Sequence, residues 1–205
     1  MIEQFCCATW KWLVRVARIN PVLTLRPNNR TPSDRETGRE GTGTSYWRQR
    51  KVVTMASVHN IAKYFLMLAA GSEEDAGEAM THLKLQKLLY YAQGFHLALN
   101  GGKPLFGDSI EAWKHGPIVN SIWQAYKERG GARIPPDENF EPEKGLSEKE
   151  RELLNDVWNT YGQFSAWRLR NMTNDEAPWR NSYEADANRV IPHKAMVEYF
   201  STQIE

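Results

Sequence analysis

Residues 82–100 constrain the fold more than any other part of the chain. Leu85, Leu88, Leu89, Ala92, His96 and Leu99 recur at helical spacing, and Tyr91 and Phe95 flank that stripe. A helix that is apolar on so many sides has little surface left for water, so other elements have to enclose it. Asn100-Gly101-Gly102 then stops it, because these residues tolerate the left-handed conformation of a helix C-terminus. The expected fold class is therefore mainly α, α+β at most: a compact multi-helix domain around one central buried helix, with room for a short two-stranded hairpin.

The enclosing elements can be read in order. Val58, Ile61, Ala62, Phe65 and Leu66 form one helical face that ends at Gly71, ahead of a polar loop through Gly77. Phe106, Ile110, Ala112 and Trp113 have the spacing of loop and short strand. Gly116-Pro117 is expected to open a helix carrying Val119, Ile122, Trp123 and Tyr126, with Pro117 at its first position, where a missing N–H costs nothing. Gly130-Gly131 closes it, and a second strand at residues 132–134 is expected to pair with residues 110–113. After a polar loop over residues 135–145, Ser147 and Glu150 have capping-box spacing ahead of Leu153, Leu154, Val157, Trp158 and Tyr161, up to Gly162. Ser165 caps a short helix with Leu169 and Met172; Thr173 and Glu176 repeat the capping-box spacing before Pro178-Trp179. A last helix from Pro192 carries Ala195, Met196, Tyr199 and Phe200. No internal repeat is visible.

The chain divides at Met55. Residues 1–54 hold ten Lys/Arg against four Asp/Glu, and residues 27–50 are nearly free of aliphatic side chains, too polar to offset their ordering entropy. They read as a basic, disordered extension, or as sequence upstream of a start at Met55. Residues 55–205 form the expected domain and are acidic, with 16 Lys/Arg against 21 Asp/Glu. Duplex DNA needs clustered positive charge, so nucleic acid is a disfavoured partner, apart from slight support in the basic residues 48–51 for operon binding. The mean hydropathy of −0.62 excludes a membrane protein. Lys11, Arg15 and Arg18 interrupt the apolar residues of 5–25, so no signal peptide or membrane span is expected there. Cys6 and Cys7 are adjacent and the domain has no cysteine, which rules out a disulfide framework and a thiolate zinc site and fits a cytoplasmic location.

No residue pattern points to catalysis. His59, His82, His96, His115 and His193 lack metal-ligand spacing; His96 reads as a hydrogen-bonded core residue and His115 as part of a turn. There is no nucleophile elbow and no phosphate-cradling glycine loop. The acidic runs fit solvated helix starts. The expectation is a protein that is not an enzyme and uses no cofactor and no metal. Trp113, Trp123, Trp158, Trp167 and Trp179 stand out in so small a domain. Most belong in a core, but an indole left exposed would mark a binding face.

Residues 84–99 (KLQKLLYYAQGFHLAL), 105–126 (LFGDSIEAWKHGPIVNSIWQAY) and 164–180 (FSAWRLRNMTNDEAPWR) together resemble the Panacea domain, the SocA-like antitoxin or phage-associated GepA-type family. Their order and spacing match across nearly all of residues 55–205. The resemblance implies a mostly helical antitoxin that binds a cognate toxin encoded by the adjacent gene. It also implies, as an alternative, an adaptor that hands the toxin to a Clp-type protease. The matching positions are Leu85, Gln86, Lys87, Leu88, Tyr90, Tyr91, Gln93, Glu111, Trp113, Gly116, Pro117, Thr173, Glu176, Pro178 and Trp179. Asn174 departs from the pattern, since relatives usually carry histidine there. Candidates for toxin binding or for a polar network are Gln86, Lys87, Tyr90, Gln93, Glu111, Trp113, His115, Asn174 and Trp179.

Overall fold

The computed structural model describes residues 55–72, 79–185 and 187–204. The basic extension and most of the polar loop before Gly77 lie outside them. Among the described residues eight α-helices and one hairpin follow in order: α1 Val58–Gly71, α2 His82–Leu99, β1 Ile110–Trp113, β2 Gly116–Val119, α3 Asn120–Tyr126, α4 Pro142–Gly145, α5 Glu148–Tyr161, α6 Ala166–Asp175, α7 Ala177–Ser182 and α8 His193–Ser201. A single 3-10 turn, Lys127–Arg129, follows α3. The mainly helical class with a short hairpin is what the periodicity implies.

Helix α2 is the axis of the fold. Every residue from Lys84 to Phe95 is buried, so the helix has no solvent face over three turns. Thr81 caps its start by accepting from the Lys84 N–H, a bond that satisfies one of the amides left open at a helix N-terminus. Helices α1, α5, α6 and α8 and strand β2 all pack on α2. At Gly94 the ring of Phe200 from α8 lies so near that a Cβ would stand 2.2 Å from one of its carbons. The ring of Tyr91 stacks on Tyr161 of α5 at 3.9 Å between centroids, and Phe200 meets Tyr90 and Phe95 edge-on. One core cluster takes in buried residues from Ala56 to Phe200.

Helix α5 starts with the expected capping box: the Glu150 N–H donates to Ser147 Oγ, and the Ser147 N–H donates to Glu150 Oε2 at 2.7 Å. Ser165 caps α6, and Pro192 precedes the first residue of α8.

Three local expectations fail. Pro117 does not begin a helix; it lies in β2, paired with Ala112, and α3 starts three residues later. A residue without an N–H suits an edge strand as well as a helix start, so the local sequence cannot separate the two. Residues 132–134 do not pair with β1 either. The two-residue turn at Lys114 and His115 brings β2 onto β1 immediately, with Gly116 at φ +94°. The Ile134 N–H donates to the Met80 carbonyl instead, and the other edge of β1 is taken by residues 189–191, with Ala112 N–H to Arg189 O at 2.7 Å and Ile191 N–H to Ile110 O at 2.8 Å. Finally, Thr173 and Glu176 form no capping box. The Thr173 hydroxyl donates to the Arg170 carbonyl inside α6, and the Glu176 carboxylate is occupied by two buried tyrosines.

Candidate functional site

Helix α2 carries polar side chains on fully buried turns, and Gln86, Lys87 and Gln93 find their partners in the hairpin or the loop before it. Gln86 acts as a missing strand beside β2: its Oε1 accepts from the Val119 N–H at 2.7 Å and its Nε2 donates to the Val119 carbonyl at 3.2 Å. Gln93, two turns on, does the same for the loop before β1. It accepts from the N–H groups of Leu105 and Phe106 at 2.9 and 3.3 Å and donates to the Phe106 carbonyl at 3.1 Å. A carboxamide carries a donor and an acceptor side by side, as a peptide group does, which is why glutamine can close an open backbone edge.

Lys87 sits between them, with no exposed surface, and donates to the Pro117 carbonyl at 2.9 Å. Burial, helped by the nearby Arg170 guanidinium, pushes its ammonium well below the usual lysine range. Gly116 lies directly over the amine. A Cβ there would be 2.7 Å from Lys87 Nζ and 2.8 Å from Asn174 Oδ1.

The third anchor is Glu176, in the link between α6 and α7. The hydroxyls of Tyr90 and Tyr91 each donate to one of its carboxylate oxygens at 2.8 Å. Burial pushes the Glu176 carboxyl up to about 7, against the opposing pull of the two phenols. A fourth anchor joins α7 to the hairpin: the indole N–H of Trp179, itself buried, donates to the Trp113 carbonyl at 3.0 Å.

Gln86, Lys87, Tyr90 and Gln93 are thus buried in hydrogen bonds that tie α2 to the hairpin and to the α6–α7 link. Trp179 belongs to the same system. In this structure the Gln86 to Gln93 face is interior and offers no surface to a partner. Glu111 and Trp113 lie on the outer, half-exposed side of β1, where the Trp113 indole N–H donates to Glu111 Oε2 at 2.8 Å. His115 is exposed at the hairpin turn, and Asn174 is half-buried beneath it, its Oδ1 without a hydrogen-bond partner. Histidine at 96 is half-buried and uses Nδ1 on the Lys103 carbonyl at 2.9 Å.

Two residues outside the expected set complete this outer face. Trp167 is 58% exposed, and it is the sole large aromatic side chain left so open among the described residues. The Arg170 guanidinium lies over its ring at 5.1 Å, and the His115 ring is 6.4 Å away. A sequence signal for them exists. On α6 the buried positions are Ala166, Leu169 and Thr173, whereas Trp167, Arg170 and Asn174 follow i, i+3, i+7 on a separate stripe. Among the described residues no group of three or more His, Cys, Asp or Glu side chains could hold a metal ion. None of the described helices is long and apolar enough to cross a membrane.

The segment that makes these contacts has known counterparts. Residues 85–180 match the family described as antitoxin SocA-like, Panacea domain. Antitoxin SocA of Caulobacter vibrioides (strain NA1000 / CB15N) is 39% identical to this chain over 51 residues, which cover 25% of the chain and 27% of that relative. No solved structure matches. Residues 85–180, which hold the buried anchors, the hairpin and the Trp167 face, are thus the part of the chain that is similar to the Panacea domain of SocA-like antitoxins.

Proposed function

We propose that this chain is an antitoxin that neutralises a cognate toxin by direct protein–protein binding in the cytoplasm, without catalysing a reaction. The observation that carries this reading is the family match over residues 85–180, to which the similarity to Antitoxin SocA adds a named relative. The geometry is compatible with it. Gln86 and Gln93 on α2 are used to hold backbone, and Trp167, the one mostly exposed aromatic side chain among the described residues, lies beside His115 and Arg170 on the outer face.

The toxin is expected from the adjacent gene. Inducing that gene alone should arrest growth, and co-expressing this protein should lift the arrest with the two proteins purifying as a complex. A harmless neighbour, or an arrest this protein leaves untouched, would reject the reading. Rescue accompanied by a toxin level that falls only in cells with an active Clp-type protease would replace simple neutralisation by an adaptor role.

A further inference from the structure

The polar groups that lack partners are concentrated in one place. Three buried side-chain atoms among the described residues have no hydrogen-bond partner, and two of them, Arg170 Nε and Asn174 Oδ1, are one turn apart on α6. Trp167 extends the same stripe and is mostly exposed. His115 and Lys114, both exposed, form the hairpin turn beside it. Neither Lys114 nor Arg170 forms an ion pair with a described residue, although five such pairs occur elsewhere on the surface.

The charge of this face is opposite to that of its surroundings. Residues 111–127 and 166–174 contain Lys114, Lys127, Arg168 and Arg170 against one acidic residue, Glu111, whereas residues 55–205 as a whole have an excess of acid. Lys127 lies over the ring of Trp123, which in turn meets Trp113 at 5.3 Å, so a cation over an indole occurs on both sides of the hairpin turn. Beneath it lies the amine of Lys87, with Arg170 as its charged neighbour. Glu111, whose carboxylate accepts from the Trp113 indole, lies at the edge of this cluster, and the excess of cations beside the indoles is complementary to an acidic segment with an apolar residue beside its carboxylates.

We propose that Lys114, His115, Trp167 and Arg170 form the face on which the toxin docks, and that they receive an acidic segment of that protein. The inference rests on the toxin-binding reading and adds to it the contact surface and its chemistry. Arg170 and Lys114 would pair with carboxylates of the segment, and an apolar side chain next to them would cover Trp167.

The test is affinity of the full chain for the adjacent-gene toxin at low and high salt, using Trp167→Ala, Lys114→Glu and, on a different helix, Lys194→Glu. Both face residues are exposed, so thermal unfolding should certify that the variants fold. Trp167→Ala should weaken binding on the order of 30-fold, as truncation of an interface anchor does. Lys114→Glu should weaken it about tenfold at low salt and less at high salt, because the attraction is screened. Lys194→Glu should bind as the parent does. If the parent binds and both face variants bind equally well, the docking face is elsewhere and the antitoxin reading stands. If the parent does not bind the toxin at all, the reading falls and this inference with it. Trp167-dependent capture of duplex DNA that the toxin does not compete would also overturn it.

Discussion

The buried turns of α2 and the outer stripe of α6 meet at the same hairpin but treat polar groups in opposite ways. On α2, Gln86, Gln93, Tyr90 and Tyr91 lie inside the core and their hydrogen-bonding atoms end on a named partner within 3.3 Å. On α6, Arg170 Nε and Asn174 Oδ1 are buried and unmatched, beside an indole that is mostly in water. A saturated polar interior specifies how elements are assembled. On α6 the indole that stands open beside these atoms is what a partner can cover. Family-typical residues can therefore be architectural, while the contact surface lies in their neighbours.

Removing a carboxamide from α2 should produce the largest loss. Gln93→Leu would leave the Leu105 and Phe106 amides and the Phe106 carbonyl buried without partners. At about 1–3 kcal/mol for each orphaned group, urea denaturation should show a loss of about 4 kcal/mol. A loss below about 1 kcal/mol would mean that the anchor is dispensable and the contrast with α6 is false.

Next in size is a pH effect at Glu176. Its carboxyl titrates at about 7 in the fold against 4.5 ordinarily, so between these values the unfolded chain gives up a proton that the folded chain keeps. Stability should be greatest below pH 4.5 on this group's account, fall as pH rises, and level off above 7, by about 3 kcal/mol in total. The difference in unfolding free energy between parent and Glu176→Gln, followed from pH 4.5 to 8, isolates that contribution. A difference independent of pH would show the carboxyl to be ionised throughout.

Gly116→Ala should cost about 2 kcal/mol, since φ of +94° is strained for any residue with a Cβ and the new atom would meet Lys87 and Asn174. An unchanged melting temperature would show that the hairpin turn can move off the amine. Trp167→Ala should be the smallest, within about 0.5 kcal/mol, because a surface side chain contributes little to folding. A cost above about 1.5 kcal/mol would identify Trp167 as a packing residue and remove the asymmetry on which the docking face rests.

The central helix, the capping box at Ser147 and Glu150 and the stop at Asn100 were all legible from periodicity and cap chemistry. What was not legible depended on partners far away in sequence. Glu176 looks like a capping residue three positions after Thr173, but its actual partners are tyrosines 85 and 86 residues earlier. Pro117 satisfies the rules for a helix start and for an edge strand equally. Gln86 and Gln93 stood out as polar residues on a buried helix, but only the fold shows that they face backbone. Trp167 could have been separated from the other indoles by its offset from Ala166 and Leu169 on α6.

The anchors around the hairpin have one property in common: Gln86 bonds to the backbone of Val119, Lys87 to that of Pro117, and Trp179 to that of Trp113. A carbonyl or an amide is the same whichever side chain it carries. Substitutions at Lys114 and His115 would therefore leave all three restraints intact, with Gly116 alone fixed by its geometry. Sequence drift can rewrite the tip of this hairpin without renegotiating how it is held, so a lineage could exchange one partner for another while inheriting the same fold.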